Sequence, residues 1–443
     1  MRVESTDTHD VIIIGGGVSG TALLYLLAEY TDINNIMLFE KHNSIASVNS
    51  HGRNNSQTLH CGDIETNYTL EKALQVQASA NMVSRYAQQL KNKDDVIYKF
   101  SKMVVGVGDK EVDELRERYE TFSPHYPKMQ LLEREEIEKI ESALIEGRKE
   151  SESIVALAVL DDYTAVNFQA LSESFVEQAG AVKNKSVEVK LNTKVQTIKK
   201  SSEGYAVKTQ HGTHHAKFVV VSSGGHSLLF AQRMGYGLEF SCLPMAGSFY
   251  YTPNVLNGKV YTVQNDKLPF AAIHGDPDVL VPNKTRFGPT ALALPLLERY
   301  NWKTFHEFLQ ILKLDWNVVI TLWGLVKVSE IRNYLFKNML FELPVIRRHL
   351  FLKDARKIIP AMQLNELSFA KKTGGIRPVM IDKKSHSLHL GEAKLSPGNG
   401  LIFNMTPSPG ATSCLGNAEK DLDIIVGFLE ANADKARLNK DLR

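Results

Sequence analysis

Three glycines near the N-terminus are spaced to bind a phosphate group. They form Gly15-x-Gly17-x-x-Gly20, directly after the apolar run at residues 11–14. The first glycine permits a tight turn, the second lets backbone N–H groups approach a pyrophosphate, and the third lets a helix pack closely on the strand. Twenty positions later, Glu40 is placed to accept hydrogen bonds from an adenosine ribose. These residue types predict a dinucleotide site.

The elements around the motif are those that such a site requires. An apolar helix is predicted at residues 21–27 and a second buried strand at 36–39, so the helix N-terminus faces the phosphate charge. The apolar run at 218–221 is typical of a strand in a parallel sheet, and it ends in small residues that permit close approach to a ligand, among them Gly224. Between them, alternating segments at 187–191, 193–198 and 205–209 predict an antiparallel meander.

Composition limits the class of protein. A chain of 443 residues can form two domains, and a formal net charge of +2 does not favour a nucleic-acid surface. Cys61, Cys242 and Cys414 show no metal-ligand spacing, so we expect buried structural thiols and no metal site. The polar N-terminus predicts neither a signal peptide nor a transit peptide, and the apolar stretches are too short for a spanning helix. We therefore expect a soluble protein or one bound to a membrane surface.

The motifs together resemble one family of flavoproteins. They are the Gly15 to Gly20 fingerprint with Glu40, the small residues at 222–225, and the segments at 374–378 and 407–412. In this combination the chain resembles the D-amino-acid-oxidase-like (glutathione-reductase type 2) family of FAD enzymes. Residues 52–62 and 260–290 look more specifically like the short form of the bacterial FAD-dependent malate:quinone oxidoreductases.

The resemblance implies an α/β fold in which a Rossmann-like FAD-binding domain, discontinuous in sequence, stands beside an antiparallel-sheet substrate domain with a helical insertion. We expect the FAD-binding domain in residues 1–75, 152–236 and 372–443, and the substrate domain in 76–151 and 237–371. The residues predicted to bind FAD are Gly15, Gly17, Ser19, Gly20, Glu40, Lys41, Ser56, Gln57, Thr58, Val195, Gly224, Gly410, Ala411 and Thr412. Of these, the last three would place a helix N-terminus near the flavin C2 oxygen, where negative charge gathers on reduction.

Oxidation of a 2-hydroxy acid such as malate requires a base for the hydroxyl proton and a cation for each carboxylate. Histidine suits the first task because its pKa lies near neutral pH, and arginine suits the second because its planar fork binds a carboxylate through two nitrogens. We predict His274 as the base, with His60 as the alternative, and Arg286 and Arg377 as the clamps. Taken singly, each histidine also fits a structural hydrogen bond, and each arginine a surface ion pair.

A helical block at residues 302–353 mixes aromatic, apolar and basic residues. This composition fits either a segment at a membrane interface or an amphipathic cap over the substrate domain. If a membrane quinone is the electron acceptor, the protein has to reach the bilayer surface. The resemblance favours peripheral association with the inner face of the cytoplasmic membrane.

The sequence thus predicts an enzyme that oxidises L-malate to oxaloacetate with FAD and passes the electrons to a membrane quinone, as a step of the tricarboxylic acid cycle and respiratory chain. An L-2-hydroxyglutarate dehydrogenase or a D-amino-acid-type oxidase of the same fold is one alternative. A non-catalytic flavin-binding scaffold or an RNA-modification protein is another, although it predicts a strongly basic face that the net charge of +2 does not support.

Overall fold

A computed structural model of the protein describes residues 8–264, 272–344, 346–389, 392–406 and 409–443. The strands are, in chain order, β1 (His9–Ile14), β2 (Asn35–Phe39), β3 (Ile97–Lys99), β4 (Lys102–Val107), β5 (Gln130–Glu133), β6 (Ile154–Val159), β7 (Tyr163–Val166), β8 (Ser186–Lys190), β9 (Val195–Ser201), β10 (Gly204–Thr209), β11 (Thr213–Val221), β12 (Phe240–Ala246), β13 (Tyr250–Pro253), β14 (Lys259–Thr262), β15 (His274–Pro277), β16 (Lys284–Gly288), β17 (Leu292–Ala293), β18 (Ser368–Phe369), β19 (Ile376–Asp382), β20 (Ser387–His389), β21 (Ala393–Leu395) and β22 (Leu401–Met405).

The helices cover these strands and form one separate block. They are α1 (Val18–Tyr30), α2 (Leu70–Gln88), α3 (Lys93–Val96), α4 (Asp109–Phe122), α5 (Arg134–Ile140), α6 (Phe168–Ala181), α7 (His226–Arg233), α8 (Phe305–Leu312), α9 (Trp316–Lys327), α10 (Ser329–Leu340), α11 (Arg347–Ile358), α12 (Cys414–Leu429) and α13 (Lys435–Leu442). Short 3₁₀ turns add Gly52–Asn54, Ser142–Leu144 and Trp302–Thr304.

The first sheet has a parallel core in the order β22-β11-β1-β2-β8, which β21 extends at one edge. The alternating direction of the side chains along β1 explains how both faces of this sheet are covered. Val11 and Ile13 pack in a cluster with α1, α6 and α12, whereas Ile12 and Ile14 pack in a second cluster with β9 and β10. Because successive side chains of a strand point to opposite faces, a continuous apolar strand is buried on both sides.

The second large sheet has the order β18-β13-β16-β15-β14-β4-β6-β5 and is antiparallel except where β14 runs parallel to β4. Val104 and Leu157 pack against α4 on one face, and Met103 and Ala156 pack in a cluster with α11 on the other. A smaller antiparallel sheet has the order β17-β12-β19-β20, in which β19 pairs with β12 along its whole length. The predicted fold class is thus confirmed.

The domain bounds stay a prediction. Within them, the segment at 152–236 contains β6, which pairs with β4, and the segment at 372–443 contains β19, which pairs with β12. One detail of the predicted organisation needs correction. The predicted meander begins only at β9, because β8 pairs in parallel with β2. Asn192, with φ 50°, turns the chain away between them.

Candidate active site

A cavity of about 1390 Å³ lies at the carboxyl ends of the parallel strands. Gly15, Glu40, Ser222 and Thr406, which follow β1, β2, β11 and β22, all line it. In open α/β sheets ligands bind at this edge. Ligand cavities usually measure roughly 300–1000 Å³, so this cavity has room for a dinucleotide together with a small acid.

The glycine turn has the geometry that the motif predicts. Gly15 has φ 117°, and a Cβ there would overlap the Ser222 carbonyl. Gly17 is the N-cap residue of α1, and both Gly17 and Ser19 line the cavity. Gly20 does not line it; a Cβ at Gly20 would instead overlap the Gly15 carbonyl, because helix and strand approach so closely. The backbone is therefore open to a pyrophosphate at the N-terminus of α1.

Glu40 ties the turn to the second strand. It is buried, lines the cavity, and accepts hydrogen bonds from the backbone N–H groups of Gly16 (2.8 Å) and His42 (2.9 Å). The neighbouring Lys41 lines the cavity and pairs with the buried Glu298. The carboxylate and the ammonium group are thus both held in place at the wall.

Most of the other predicted FAD residues also lie on the wall. Those that line the cavity are Ser56, Thr58, Val195, Gly224, Gly410, Ala411 and Thr412. The last three immediately precede α12, whose N-cap is Ser413. Gln57 does not line the cavity, because its side chain donates to Asp278 Oδ1 (3.1 Å) and to the Gly52 carbonyl. Pro407 and Ser408, part of the predicted motif, lie outside the described residues.

Two buried hydroxyl groups indicate that the cavity is built for a polar ligand. Ser47 and Ser223 line it, and their Oγ atoms have no hydrogen-bond partner among the described residues. Buried polar groups are normally hydrogen-bonded, so a ligand that supplies their partners stabilises the site. Together with the open glycine turn and the acid after β2, these residues fit FAD.

His274 lies on the cavity wall at the start of β15 and contacts a buried carboxylate. Its Nδ1 is 2.6 Å from Asp276 Oδ2, and Asp276 Oδ1 is 3.1 Å from Lys259 Nζ. All three side chains are almost completely buried. Tyr261 stacks on the imidazole with the ring centroids 4.5 Å apart, and its hydroxyl is 2.6 Å from Thr58 Oγ1.

The charges of this cluster determine its protonation. Burial lowers the pKa of His274 although Asp276 acts in the opposite direction, so the imidazole is neutral at pH 7. Burial opposes ionisation of Asp276, yet His274 and Lys259 hold its pKa below the ordinary value. Because a carboxylate oxygen lies 2.6 Å from Nδ1, the neutral ring is favoured with its proton on Nδ1, which leaves the Nε2 lone pair available as a base.

Of the two arginines predicted as clamps, Arg377, at the start of β19, lies on the cavity wall. It lines the cavity and, within the described part of the chain, forms no ion pair and no side-chain hydrogen bond. Burial lowers the pKa of Arg377, and Tyr68 and Tyr334 partly offset this decrease. An unpaired guanidinium in a cavity is suited to bind a carboxylate through two nitrogens.

Arg286 does not lie on the cavity wall. Its fully buried guanidinium donates from Nη1 to the Gly52 carbonyl (3.1 Å), is 3.6 Å from Asp278, and stacks on Phe249. Phe249 lines the cavity and Arg286 does not. The predicted clamp role of Arg286 is therefore not supported by this arrangement, in which it supplies positive charge behind the wall near Asp276.

His60 forms a second histidine–acid pair on the wall. Its Nδ1 is 2.8 Å from Glu65 Oε1, and its backbone N–H donates to Thr412 Oγ1. Burial opposes ionisation of Glu65, but its hydrogen bond with His60 and the charges of His60 and Lys102 hold its pKa well below the ordinary value. Both histidines that the sequence predicts as bases thus lie in one cavity, each with an acid partner.

The helical block has an unusually apolar outer surface. Trp316, Trp323 and Phe336, on α9 and α10, are 75%, 60% and 59% exposed. No helix within the described ranges is both long and apolar enough to span a membrane alone. The pair Trp302–Leu312 and Trp316–Lys327, bent by 107°, passes that test only when taken together.

Comparison with known proteins identifies the family. The family model for malate:quinone oxidoreductase (Mqo) matches residues 7–291. The chain belongs to this family. It is 47% identical over 442 residues to a probable malate:quinone oxidoreductase of Campylobacter jejuni, covering 97% of this chain and 98% of the relative. It is 45% identical over 439 residues to the malate:quinone oxidoreductase of Helicobacter pylori, covering 98% and 97%.

Solved structures support the fold of this malate:quinone oxidoreductase family member. The L-α-glycerophosphate oxidase of Mycoplasma pneumoniae with FAD bound superposes with a TM-score of 0.65 at 20% identity, covering 96% of each chain. Glycine oxidase from Geobacillus kaustophilus gives a TM-score of 0.65 at 17% identity, covering 94% of each chain. Both support the Rossmann-like domain and the adjoining antiparallel sheet.

The site contains functional candidates that sequence reasoning missed. Asp276 was detectable, because His274 and Asp276 are two apart on a strand and therefore point to the same face. Lys259 and Glu65 gave no comparable signal.

No described group of three or more His, Cys, Asp or Glu residues is arranged to hold a metal ion. Of the cysteines, Cys242 and Cys414 are buried and Cys61 half-buried, and burial raises the pKa of each thiol to about 12.

Proposed function

We propose that the protein oxidises L-malate to oxaloacetate with bound FAD and passes the electrons to a membrane quinone. The observation that carries this proposal is the presence, in one cavity of a member of this family, of the unpaired Arg377 and the His274–Asp276 pair. Malate loses two electrons and two protons, and the quinone gains the same number on becoming a quinol. FAD, when bound, supplies the two-electron acceptor between them.

The residues have distinct roles in this reaction. Arg377 binds a carboxylate of malate and fixes the orientation of its C2 carbon. His274 accepts the hydroxyl proton at Nε2, because Asp276 holds the other ring nitrogen. Lys259 keeps Asp276 ionised, and Tyr261 fixes the plane of the imidazole. His60 is the alternative base.

The substrate assignment is tested by the absorbance of the bound flavin under anaerobic conditions. The purified holoprotein is titrated with L-malate, L-2-hydroxyglutarate and D-alanine in parallel. We expect L-malate to bleach the flavin bands and the other two to leave them. Bleaching by L-2-hydroxyglutarate or D-alanine alone would show that this compound, and not L-malate, is the substrate. If none of the three bleached the flavin, a non-catalytic scaffold would be favoured.

We also propose that the outer faces of α9 and α10 rest on an anionic membrane surface. Exposed tryptophans are typical of the membrane interface, and basic residues outnumber acidic ones by eight to four between Trp302 and Lys353. Association of this kind would place the protein at the inner face of the cytoplasmic membrane.

The membrane contact is tested by co-sedimentation with vesicles. We expect binding to phosphatidylglycerol vesicles that exceeds binding to phosphatidylcholine vesicles and weakens in the double variant Trp316→Ser with Trp323→Ser. Leu238→Ser is the control, because Leu238 is an exposed apolar residue outside the helical block. Equal binding of the double variant and the wild type would show that α9 does not contact the membrane.

A further inference from the structure

One end of the cavity is apolar and is formed by the helical block. Leu325 of α9 and Ile331 of α10 line it, together with Leu388 of β20 and with Met245 and Ala291 of the smaller sheet region. These side chains carry no charge. A flat, uncharged ring that enters this end loses water from both faces, which favours binding.

The cavity reaches the surface beside this apolar end. His386 and Ser387, in the β19–β20 hairpin, both line the cavity and are exposed to solvent. Thr321 Oγ1 of α9 is 3.5 Å from His386 Nδ1, so the hairpin and α9 meet at this mouth. Near β9, by contrast, the exposed lining residues Lys194 and Gln196 are polar and flank Val195, on the adenosine side. The two regions therefore differ in the ligand chemistry that they favour.

The same two helices separate the apolar end from the proposed membrane surface. Leu325 faces the cavity from the helix whose opposite surface exposes Trp316 and Trp323. An α-helix with its side chains is about 10–12 Å wide. A single layer of helix thus lies between the cavity and the bilayer, so a ligand dissolved in the bilayer has a short path to the mouth.

The geometry points to this mouth as the quinone site. The quinone ring enters between the α9–α10 elbow and the β19–β20 hairpin, contacts Leu325, Ile331 and Leu388, and accepts a hydrogen bond from His386 at one carbonyl. The inference rests on the proposed function, since it places the acceptor of that reaction. Arg377, which holds malate by its charge, is the register partner of Met245 at the border of this end, so the two ligands bind at adjoining positions.

Filling the apolar end tests the inference. Leu325→Trp and Ile331→Trp are compared with Leu238→Trp, an exposed position outside the helical block. Two anaerobic half-reactions are followed by stopped flow on the FAD-loaded proteins: flavin reduction by L-malate, and reoxidation of the malate-reduced protein by decylubiquinone. We expect reoxidation to slow by roughly tenfold or more in both cavity variants, because overpacking costs binding, while reduction by malate and both half-reactions of the control keep their rates.

Unchanged reoxidation, or an equal loss in both half-reactions, would overturn the inference. A second measurement does not depend on the variants. We expect an azido-substituted ubiquinone, activated by light on the wild-type holoprotein, to label peptides within residues 316–331 or 384–389; labelling elsewhere would contradict the assignment. Failure of malate to reduce the wild-type flavin would instead refute the proposed function, and the labelling result would still locate the quinone.

Discussion

Replacing Asp276 by asparagine tests the role of His274 most sharply, because it alters the base without touching it. The charge-assisted contact at 2.6 Å is worth about 1.5–3 kcal/mol, or roughly 10–100-fold in rate. An asparagine NH₂ group can also donate to Nδ1, which moves the ring proton to Nε2 and removes the basic lone pair. An analogous change in a serine-protease triad costs about 10⁴-fold. We therefore expect flavin reduction by malate to slow by roughly 10²–10⁴-fold.

The pH dependence provides a second readout. Reduction requires neutral His274, so the rate falls as the pH drops through the pKa of His274, which burial already lowers. Asp276 raises that pKa, so its neutralisation moves the acid limb of the rate profile to lower pH.

The variant also leaves Lys259 buried without its carboxylate, which costs about 3–5 kcal/mol of stability. Asp63→Asn is the matched control, because Asp63 forms a comparable buried pair with Lys102 at 2.7 Å and has no contact with His274. We expect both variants to lower the melting temperature, but only Asp276→Asn to slow stopped-flow reduction. Equal slowing in both, or an unshifted acid limb, would refute the assignment of His274 as the base.

Other changes probe the rest of the site. We expect Arg377→Gln to raise the KM for malate by roughly 10–100-fold, because one charge-assisted interaction is lost. The KM of Arg377→Lys should lie between that of the wild type and that of Arg377→Gln. An unchanged KM in steady-state assays would show that Arg377 does not bind the substrate. Gly20→Ala should abolish FAD retention, measured by flavin absorbance, because its Cβ would overlap the Gly15 carbonyl. Gly180→Ala, where nothing lies within 4 Å, should keep FAD and gain about 0.5–1 kcal/mol. The pKa of Glu65 in the folded state is about 2, below its ordinary value, so the ionised carboxylate stabilises the fold at neutral pH and this effect is lost as the pH falls through the folded-state pKa. Thermal melts should therefore show Glu65→Gln less stable than the wild type at pH 7, with the difference shrinking below the ordinary pKa of glutamate and vanishing only below about pH 2.

The parts of the site that follow local rules were predictable from the sequence. Gly15, Gly17 and Gly20 obey the constraints of one turn, and Glu40 directly follows the next strand, so their positions follow from spacing alone. The discontinuous first sheet was predictable in the same way, because its apolar runs are continuous and flanked by small residues.

The remaining parts depend on how distant strands pack. Lys259 reaches Asp276 only because β14 and β15 pair, and that register is not encoded in either strand alone. Arg286 and Arg377 both lie in strands with mostly buried residues, where the pattern does not reveal which face lines the cavity. The sheet arrangement places Arg377 on the wall and Arg286 behind Phe249.

If one cavity couples malate oxidation to quinone reduction, the two reactions proceed in equal amounts. This is tested by the anaerobic stoichiometry of L-malate consumed, oxaloacetate formed and decylubiquinone reduced by the purified holoprotein. We expect the three amounts to be equal and the reaction to be lost in His274→Gln. Quinone reduction without oxaloacetate, or oxaloacetate formed without quinone consumption, would contradict it.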